Sequence, residues 1–268
     1  MKLTDCEWRL VPEEARSGPM QMALEEVAAE TVAAGGPATV RVFRWEPGTL
    51  SLGYGQEPDT VDWGYCERHG VDVTRRQTGG GGIYHDHAGD VSYSVIAPAE
   101  ALPGDLEAAY ELLCEPVLAG LARLGVDAGF LDEPAPAVHR PACYLRALDP
   151  AHDIGVDGRK ISGNAQYRQR EAVIQHGSVT HTRAVGPHLG VFAADLSPER
   201  FRERVTSVGA ECSADREETV DAFEAALAGW CGAERGGWTD EELARAREIA
   251  ARKYDTDPWV RERTVPEG

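Results

Sequence analysis

Four consecutive glycines, Gly79 to Gly82, stand between Val71–Arg75 and Ile83–Tyr84, stretches rich in strand-forming side chains. A segment with no Cβ atoms has nothing to pack, so it cannot be the interior of a helix or a strand. The chain must build a sheet around a bare loop. Such a loop lets a ligand approach the backbone and turns its N–H groups toward an anion. Arg75 and Arg76, just before it, supply positive charge for a phosphate or carboxylate. A flexible hairpin loop is the plain alternative, but it leaves the strand-forming residues on both sides unexplained. The run is neither G-x-x-x-x-G-K-[ST] nor a G-x-G-x-x-G opening a helix, so neither standard nucleotide motif applies.

The surrounding elements define the fold class. Met20 to Ala34 has helical apolar spacing, and residues 39–54 read as two strands about Pro47–Gly48. A short helix over 58–70 precedes the strand Val71–Arg75, and a second strand, Val91–Ala97, follows the glycines. Leu106–Leu124 is an amphipathic helix, and residues 131–141 form a proline-rich loop. Asp153–Asp157 and Ile161–Ala165 flank an Asp157–Gly158 turn, and Val173–Thr180 is another strand. From Ser197 onward the chain becomes charged helices. The elements do not alternate regularly enough for a doubly wound parallel sheet. The expectation is an α/β (α+β) fold with a mixed, largely antiparallel sheet flanked by helices. Residues 1–196 would form the main domain and 197–268 a helical segment capping it.

Composition narrows the function. The 268 residues carry 27 basic and 45 acidic side chains, a net charge of −18. That field repels polyanions and argues against nucleic acid as a partner. Only three of the basic residues are lysine (Lys2, Lys160 and Lys253), and the acidity points to a high-salt cell. No stretch is long and apolar enough for a membrane span, and no signal sequence opens the chain. The six cysteines lie far apart without a C-x-x-C pair, as expected of reduced thiols in a cytoplasmic protein.

The scarcity of lysine singles out Lys160, in Gly158-Arg159-Lys160-Ile161-Ser162-Gly163-Asn164. Arginine does not substitute where a reacting centre needs a compact, titratable ammonium. A solvated turn lysine is the plain alternative. His176 and Gly177 end a strand in Gln175-His176-Gly177-Ser178; taken alone, this histidine reads as structural. His85, Asp86 and His87 are too closely spaced to face one ion, so no metal ligation by side chains is expected.

Together, RRQTGGGGIYHD, GDVSYSV, GRKISGNAQ and QHGS resemble the biotin/lipoate protein ligase superfamily, in its lipoate–protein ligase A and octanoyltransferase branch. PMQMALEEV, TLSLGYGQ and the closing ARKYDTDPW agree with it. The resemblance implies attachment of lipoate, or its precursor octanoate, to one lysine of a lipoyl domain. Such acceptors occur in 2-oxoacid dehydrogenase complexes and as the glycine-cleavage H protein. It also implies that Arg76, Gly80, Gly81, Gly82, Ile83, Tyr84, His85, Gly163, His176 and Gly177 line the acyl and nucleotide site. Lys160 would contact the acyl carbonyl and the α-phosphate.

Two routes remain within that branch. A ligase uses ATP and Mg²⁺ to make an acyl-adenylate, whose developing charge Lys160 would neutralise. An octanoyltransferase moves the acyl group from a carrier thioester through a cysteine, which here would be Cys143 in Pro141-Ala142-Cys143-Tyr144. The unbroken glycine run, where the transferases often carry an arginine, and the high-salt composition place the ligase first. The cysteine route is the alternative, and a non-catalytic lipoyl-domain binder a further one. Larger ligases carry an accessory C-terminal domain for which this length leaves no room, so a separate accessory protein would be its source.

Overall fold

In the computed structural model, residues 2–131, 133–148 and 153–265 are described. The strands are β1 (Trp8–Arg16), β2 (Ala38–Trp45), β3 (Thr49–Leu52), β4 (Asp72–Arg75), β5 (Ile83–His85), β6 (Asp90–Pro98), β7 (Gly129–Phe130), β8 (Ile154–Val156), β9 (Arg159–Arg168), β10 (Ala172–Thr180) and β11 (Glu234–Arg235). The helices are α1 (Gly18–Ala33), α2 (Trp63–His69), α3 (Leu106–Arg123), α4 (Val185–Gly190), α5 (Pro198–Arg204), α6 (Val208–Glu211), α7 (Arg216–Cys231), α8 (Asp240–Ile249) and α9 (Asp257–Glu262).

Eight strands form one sheet in the order β11-β1-β2-β6-β10-β9-β8-β7, and a small sheet runs β4-β3-β5. β1 is parallel to both of its neighbours, whereas every pairing from β2 through β6, β10, β9, β8 and β7 is antiparallel. The sheet is therefore mixed and mostly antiparallel, with helices on both faces, as the sequence implies. β2 and β3 do not pair as a hairpin. They enter different sheets, and the small sheet becomes a second wall beside the large one.

Strand alternation sorts β6 cleanly between the faces. Val91, Tyr93, Val95 and Ala97 join the core beneath α3 and α7, while Ile96 packs with Ala28, Ala29 and Val32 of α1. Ser92 and Ser94, on the α1 face, hydrogen-bond to buried carboxylates instead of packing against apolar neighbours. This second face holds the site.

The chain beyond residue 197 divides between the two faces. α7 packs on α3, while α8 and the π-helical turn Ala250–Tyr254 that extends it pack on α1. The turn and α9 buttress β4. Thr74 Oγ1 donates to the Tyr254 carbonyl at 2.9 Å, Arg75 Nε to the Val260 carbonyl at 2.9 Å, and Trp259 Nε1 to the Arg75 carbonyl at 2.7 Å. Among the described residues no helix is long and apolar enough to cross a membrane.

Two ion pairs fasten α8 to the rest among the described residues, an exposed one from Arg245 to Glu30 of α1 and a more buried one at Glu242. Arg9 of β1 donates through Nη1 and Nη2 to the two Glu242 oxygens, at 2.8 and 2.6 Å, and Thr31 Oγ1 of α1 donates to the same carboxylate at 2.9 Å. Burial works to raise the Glu242 carboxyl, but Arg9 and the Thr239 amide outweigh it, holding it down at about 2 against an ordinary 4.5. Because the folded-state value is the lower one, this stabilisation is complete above the ordinary value and is lost as pH falls toward about 2. Glu242→Gln should cost about 2 kcal/mol near pH 7. It should also flatten the acid limb of stability, measured by urea unfolding across that window; a limb as steep as the wild type's would contradict this.

Candidate active site

A cavity of about 720 Å³ opens between the two sheets on the α1 face. Its apolar wall is Met22, Phe43, Trp45 and Ile83. The facing polar wall brings together Cys143, Lys160, Asp153, Arg146 and Arg140, with Asn164 and Gln166 further along β9. The cavity can hold an elongated apolar chain whose polar head meets a sulfur, an ammonium and two guanidinium groups.

The glycine loop forms part of this wall, and Arg76 shapes it from behind. The guanidinium donates to Thr78 Oγ1 at 2.9 Å, to Ser51 O and Oγ at 2.7 and 3.2 Å, and to Gly79 O and Gly81 O at 2.9 and 2.7 Å. Every N–H of the side chain is spent on the protein. Arg75 is likewise turned away, with Nη1 donating to the carbonyls of Gly53, Tyr54 and Gln56, each at 2.8 Å. The expectation that these two arginines present charge directly to a phosphate is thus corrected. Their geometry serves to fold the loop. Burial pulls the Arg76 guanidinium down to about 10, against the opposing influence of the nearby Cys143 sulfur, so it stays charged near neutrality.

Two carboxylate–histidine strings run from the core to that guanidinium. In one, Ser94 Oγ donates to Glu25 Oε1 at 2.6 Å, His176 Nδ1 lies 2.9 Å from Glu25 Oε2, and His176 Nε2 lies 2.7 Å from Thr78 Oγ1. Burial works to raise the Glu25 carboxyl, but His176 and Arg41 outweigh it and hold Glu25 below the ordinary carboxylate range. In the other, Asp90 Oδ2 accepts from Ser92 Oγ at 2.7 Å and lies 2.9 Å from His85 Nδ1, and His85 Nε2 meets Ser51 Oγ at 3.0 Å. Ser178 Oγ donates to the second Asp90 oxygen. Burial pulls His85 below the ordinary histidine value despite Asp90, so its Nδ1–H donates to Asp90 and Nε2 accepts from Ser51.

The segment bearing Cys143 is stitched to the glycine loop. Gly82 N donates to the Pro141 carbonyl at 2.7 Å, and Cys143 N donates back to the Gly82 carbonyl at 2.8 Å. A Cβ at Gly81 would lie 2.7 Å from Pro141 O, 2.9 Å from Arg146 Cδ and 3.0 Å from Cys143 N. The bare backbone there is what allows the Cys143 segment to lie against it. At Gly81, within the run, a side chain would therefore push the two segments apart.

Lys160 points from β9 into the same corner. Its Nζ is 3.7 Å from Cys143 Sγ and 2.5 Å from Asp153 Oδ1. A Cβ at Gly163 would lie 3.1 Å from Nζ and 3.2 Å from Sγ, so the glycine leaves room for the two groups to meet. Burial alone would pull the ammonium down, but Cys143 and Asp153 together hold it above the ordinary lysine value.

Of the residues singled out by sequence, Arg76, Gly80, Gly81, Ile83, His85, Cys143, Lys160, Gly163, His176 and Gly177 line the cavity. Gly82 and Tyr84 do not; alternation along β5 turns them to the other side, Gly82 toward Gln56 and Phe192, Tyr84 onto the His188 ring. Asp153, Arg140, Arg146 and Glu25 were not anticipated. No motif marks them, although the Asp157–Gly158 hairpin places residues 153 and 160 on neighbouring strand ends.

A family model for the lipoyl protein ligase A/B catalytic domain matches residues 17–230. The octanoyltransferase LipM of Anoxybacillus flavithermus is 32% identical, with 94% of this chain and 97% of that protein covered. The octanoyltransferase LipM of Geobacillus kaustophilus is also 32% identical, over 94% and 97%. Among solved structures, a lipoate-protein ligase A bound with ATP superposes at a TM-score of 0.78 and 25% identity, covering 94% of this chain and 98% of its own. The bi-partite lipoate protein ligase of Thermoplasma acidophilum, studied with its E2 lipoyl domain, shares the fold at a TM-score of 0.79 and 23% identity, over 98% and 99%. With the match extending from α1 to the end of α7 and the relatives aligned over nearly their full length, this chain belongs to the lipoyl protein ligase A/B catalytic-domain family.

Proposed function

We propose that this chain is a cysteine-dependent octanoyltransferase, which moves an octanoyl group from a carrier thioester to a lysine of a lipoyl domain. The observation that carries the reading is the Lys160 ammonium placed 3.7 Å from Cys143 Sγ at the wall of an acyl-sized cavity. A thiolate nucleophile is stabilised by a fixed cation beside the sulfur, whereas adenylate formation has no use for a cysteine there. The similarity to relatives named octanoyltransferase supports the same choice. This reverses the order in which the sequence alone ranks the two routes. The proposed acceptor is a lipoyl domain, with the glycine-cleavage H protein in the same class.

The chemistry balances on this chain's own groups. The Cys143 thiolate adds to the thioester carbonyl carbon. The bond to the carrier sulfur then breaks, its electron pair leaves on that sulfur, and the Lys160 ammonium protonates it. The octanoyl group is now a thioester on Cys143, and Lys160 is a neutral amine. The acceptor's neutral amine adds to the same carbon, the C–Sγ bond breaks with its electrons returning to sulfur, and Lys160 takes one amine proton. An amide has formed and both side chains are restored. The apolar wall of Met22, Phe43, Trp45 and Ile83 would hold the alkyl chain.

ATP-dependent ligation is the second reading, favoured by the fold shared with an ATP-bound lipoate-protein ligase A. Intact-protein mass spectrometry of a lipoyl domain separates the two. With an octanoyl thioester and no ATP, the acceptor should gain one octanoyl group, and Cys143→Ser should abolish both that gain and acylation of the enzyme. Addition that requires ATP, Mg²⁺ and free lipoate or octanoate, and that survives Cys143→Ser, would establish the ligase instead. Gly163→Ala should lower transfer at least ~10-fold by forcing Lys160 off the sulfur, while thermal stability moves by only a few degrees. Wild-type rates in that variant would mean that the close approach of the two groups is dispensable.

A further inference from the structure

Lys160 has two partners in the cavity wall, and the cysteine route uses only one of them. The other, Asp153, lies 2.5 Å from Nζ, and both side chains of this pair are only 5% exposed. Asp153 sits one residue before β8, where Leu131 N donates to its carbonyl at 2.9 Å. Lys160 is fixed across the hairpin by pairing with Gly155, and its own carbonyl accepts from Thr206 N at 2.9 Å. Backbone bonds on both strands thus hold the carboxylate and the ammonium in register, and the ammonium bridges Asp153 to Cys143.

We propose that Asp153 is the third member of the Cys143–Lys160 group: a positioning residue whose carboxylate holds the Lys160 ammonium against Sγ and stabilises that ammonium as it re-forms. The inference rests on the cysteine-transferase reading. When Lys160 protonates the leaving sulfur, it becomes neutral beside a carboxylate. That carboxylate then favours return of a proton to Nζ, the demand made when the acceptor amine attacks. Asp153 touches neither acyl group nor acceptor in this scheme and acts through Lys160. A purely structural ion pair buried at this depth contributes little, because desolvation offsets the attraction. It would also have no reason to reach the sulfur.

The charges that bear on Lys160 come from several elements. Cys143 and Asp153 are in contact with it. Arg76, just after β4, interacts with the Cys143 sulfur and with Arg146. Arg204 of α5 bears on Asp153, and Cys114 of α3 interacts with the same carboxylate as a neutral thiol, burial having pushed it up to about 12. Of these, Asp153 is the carboxylate in ion-pair contact with Lys160 among the described residues.

The test combines a readout free of substrate with one that uses it. The chain has only three lysines, so ¹³C NMR of lysine-labelled protein follows Lys160 directly, with Lys2 and Lys253 as internal references. Asp153→Asn should lower the Lys160 titration midpoint by about one pH unit or more. In octanoyl transfer to a lipoyl domain the same variant should lose at least ~10-fold in kcat, with KM for the thioester changed less than ~2-fold. Asp153→Glu should restore part of both. An unmoved Lys160 titration, or a kcat equal to wild type in both variants, overturns the role of Asp153 alone, with Cys143 dependence intact. Transfer that needs ATP and survives Cys143→Ser in the otherwise wild-type protein overturns the cysteine route and this relay with it.

Discussion

The guanidinium of Arg76 is buried where a charged group is costly, and its five donors all end on the loop it organises or on the strand beside it. Two of them draw the Gly79 and Gly81 carbonyls to one side, which sets the path of the glycine run. The cost of burying the charge is offset by hydrogen bonds and by two acids one histidine removed, Glu25 through His176 and Asp90 through His85. Removing any one member leaves a buried donor or charge unsatisfied, so the network is all-or-none in character. The loop then offers its Gly82 amide and carbonyl to the Cys143 segment, and the sulfur is placed. The position of Cys143 is therefore set by Arg76 through backbone alone.

Much of this was legible in the sequence, in pieces. The glycine run announced a bare loop between strands, and it is one. The rarity of lysine marked Lys160 before any geometry was known, and the ammonium sits in the cavity wall. What sequence could not give was the direction of side chains. Arg75 and Arg76 read as charges for a ligand because nothing in RRQTGGGG says that protein oxygens will take up most of their donors. The resemblance implies Gly82 and Tyr84 as site residues, and β5, only three residues long, is too short for its alternation to show in the sequence which side they take. β1, Trp8–Arg16, carries Pro12 and several charged residues, which mask a strand whose pairing is completed by residues far along the chain. Asp153 carries no motif of its own, and only the Asp157–Gly158 hairpin hints that it lies near Lys160, the partner it meets across the turn.

The ligase and transferase readings differ less in architecture than in one atom. Both need an elongated apolar cavity, a cation at the carbonyl end and a backbone loop that tolerates close approach. The apolar wall, Lys160 and the glycines supply these in either case. A sulfur beside the ammonium is the feature that only one chemistry would use, and the backbone exchange between Gly82 and the Cys143 segment fixes where that sulfur lies.

The buttress behind β4 also orders the steps by which this catalyst comes into being. Trp259 reaches back across 184 positions to the Arg75 carbonyl, and Arg75 answers across 185 to Val260. On a ribosome, β4 and the thiol of Cys143 emerge long before the helix that completes their support. A chain interrupted before residue 254 would uncover β4 and remove the acceptors of Thr74 Oγ1 and Arg75 Nε and one of the two partners of Gln77. β4, the strand that leads into the glycine loop, thus gains its last support only when synthesis has passed α9, and until then a nascent chain carries the Cys143 thiol without that buttress.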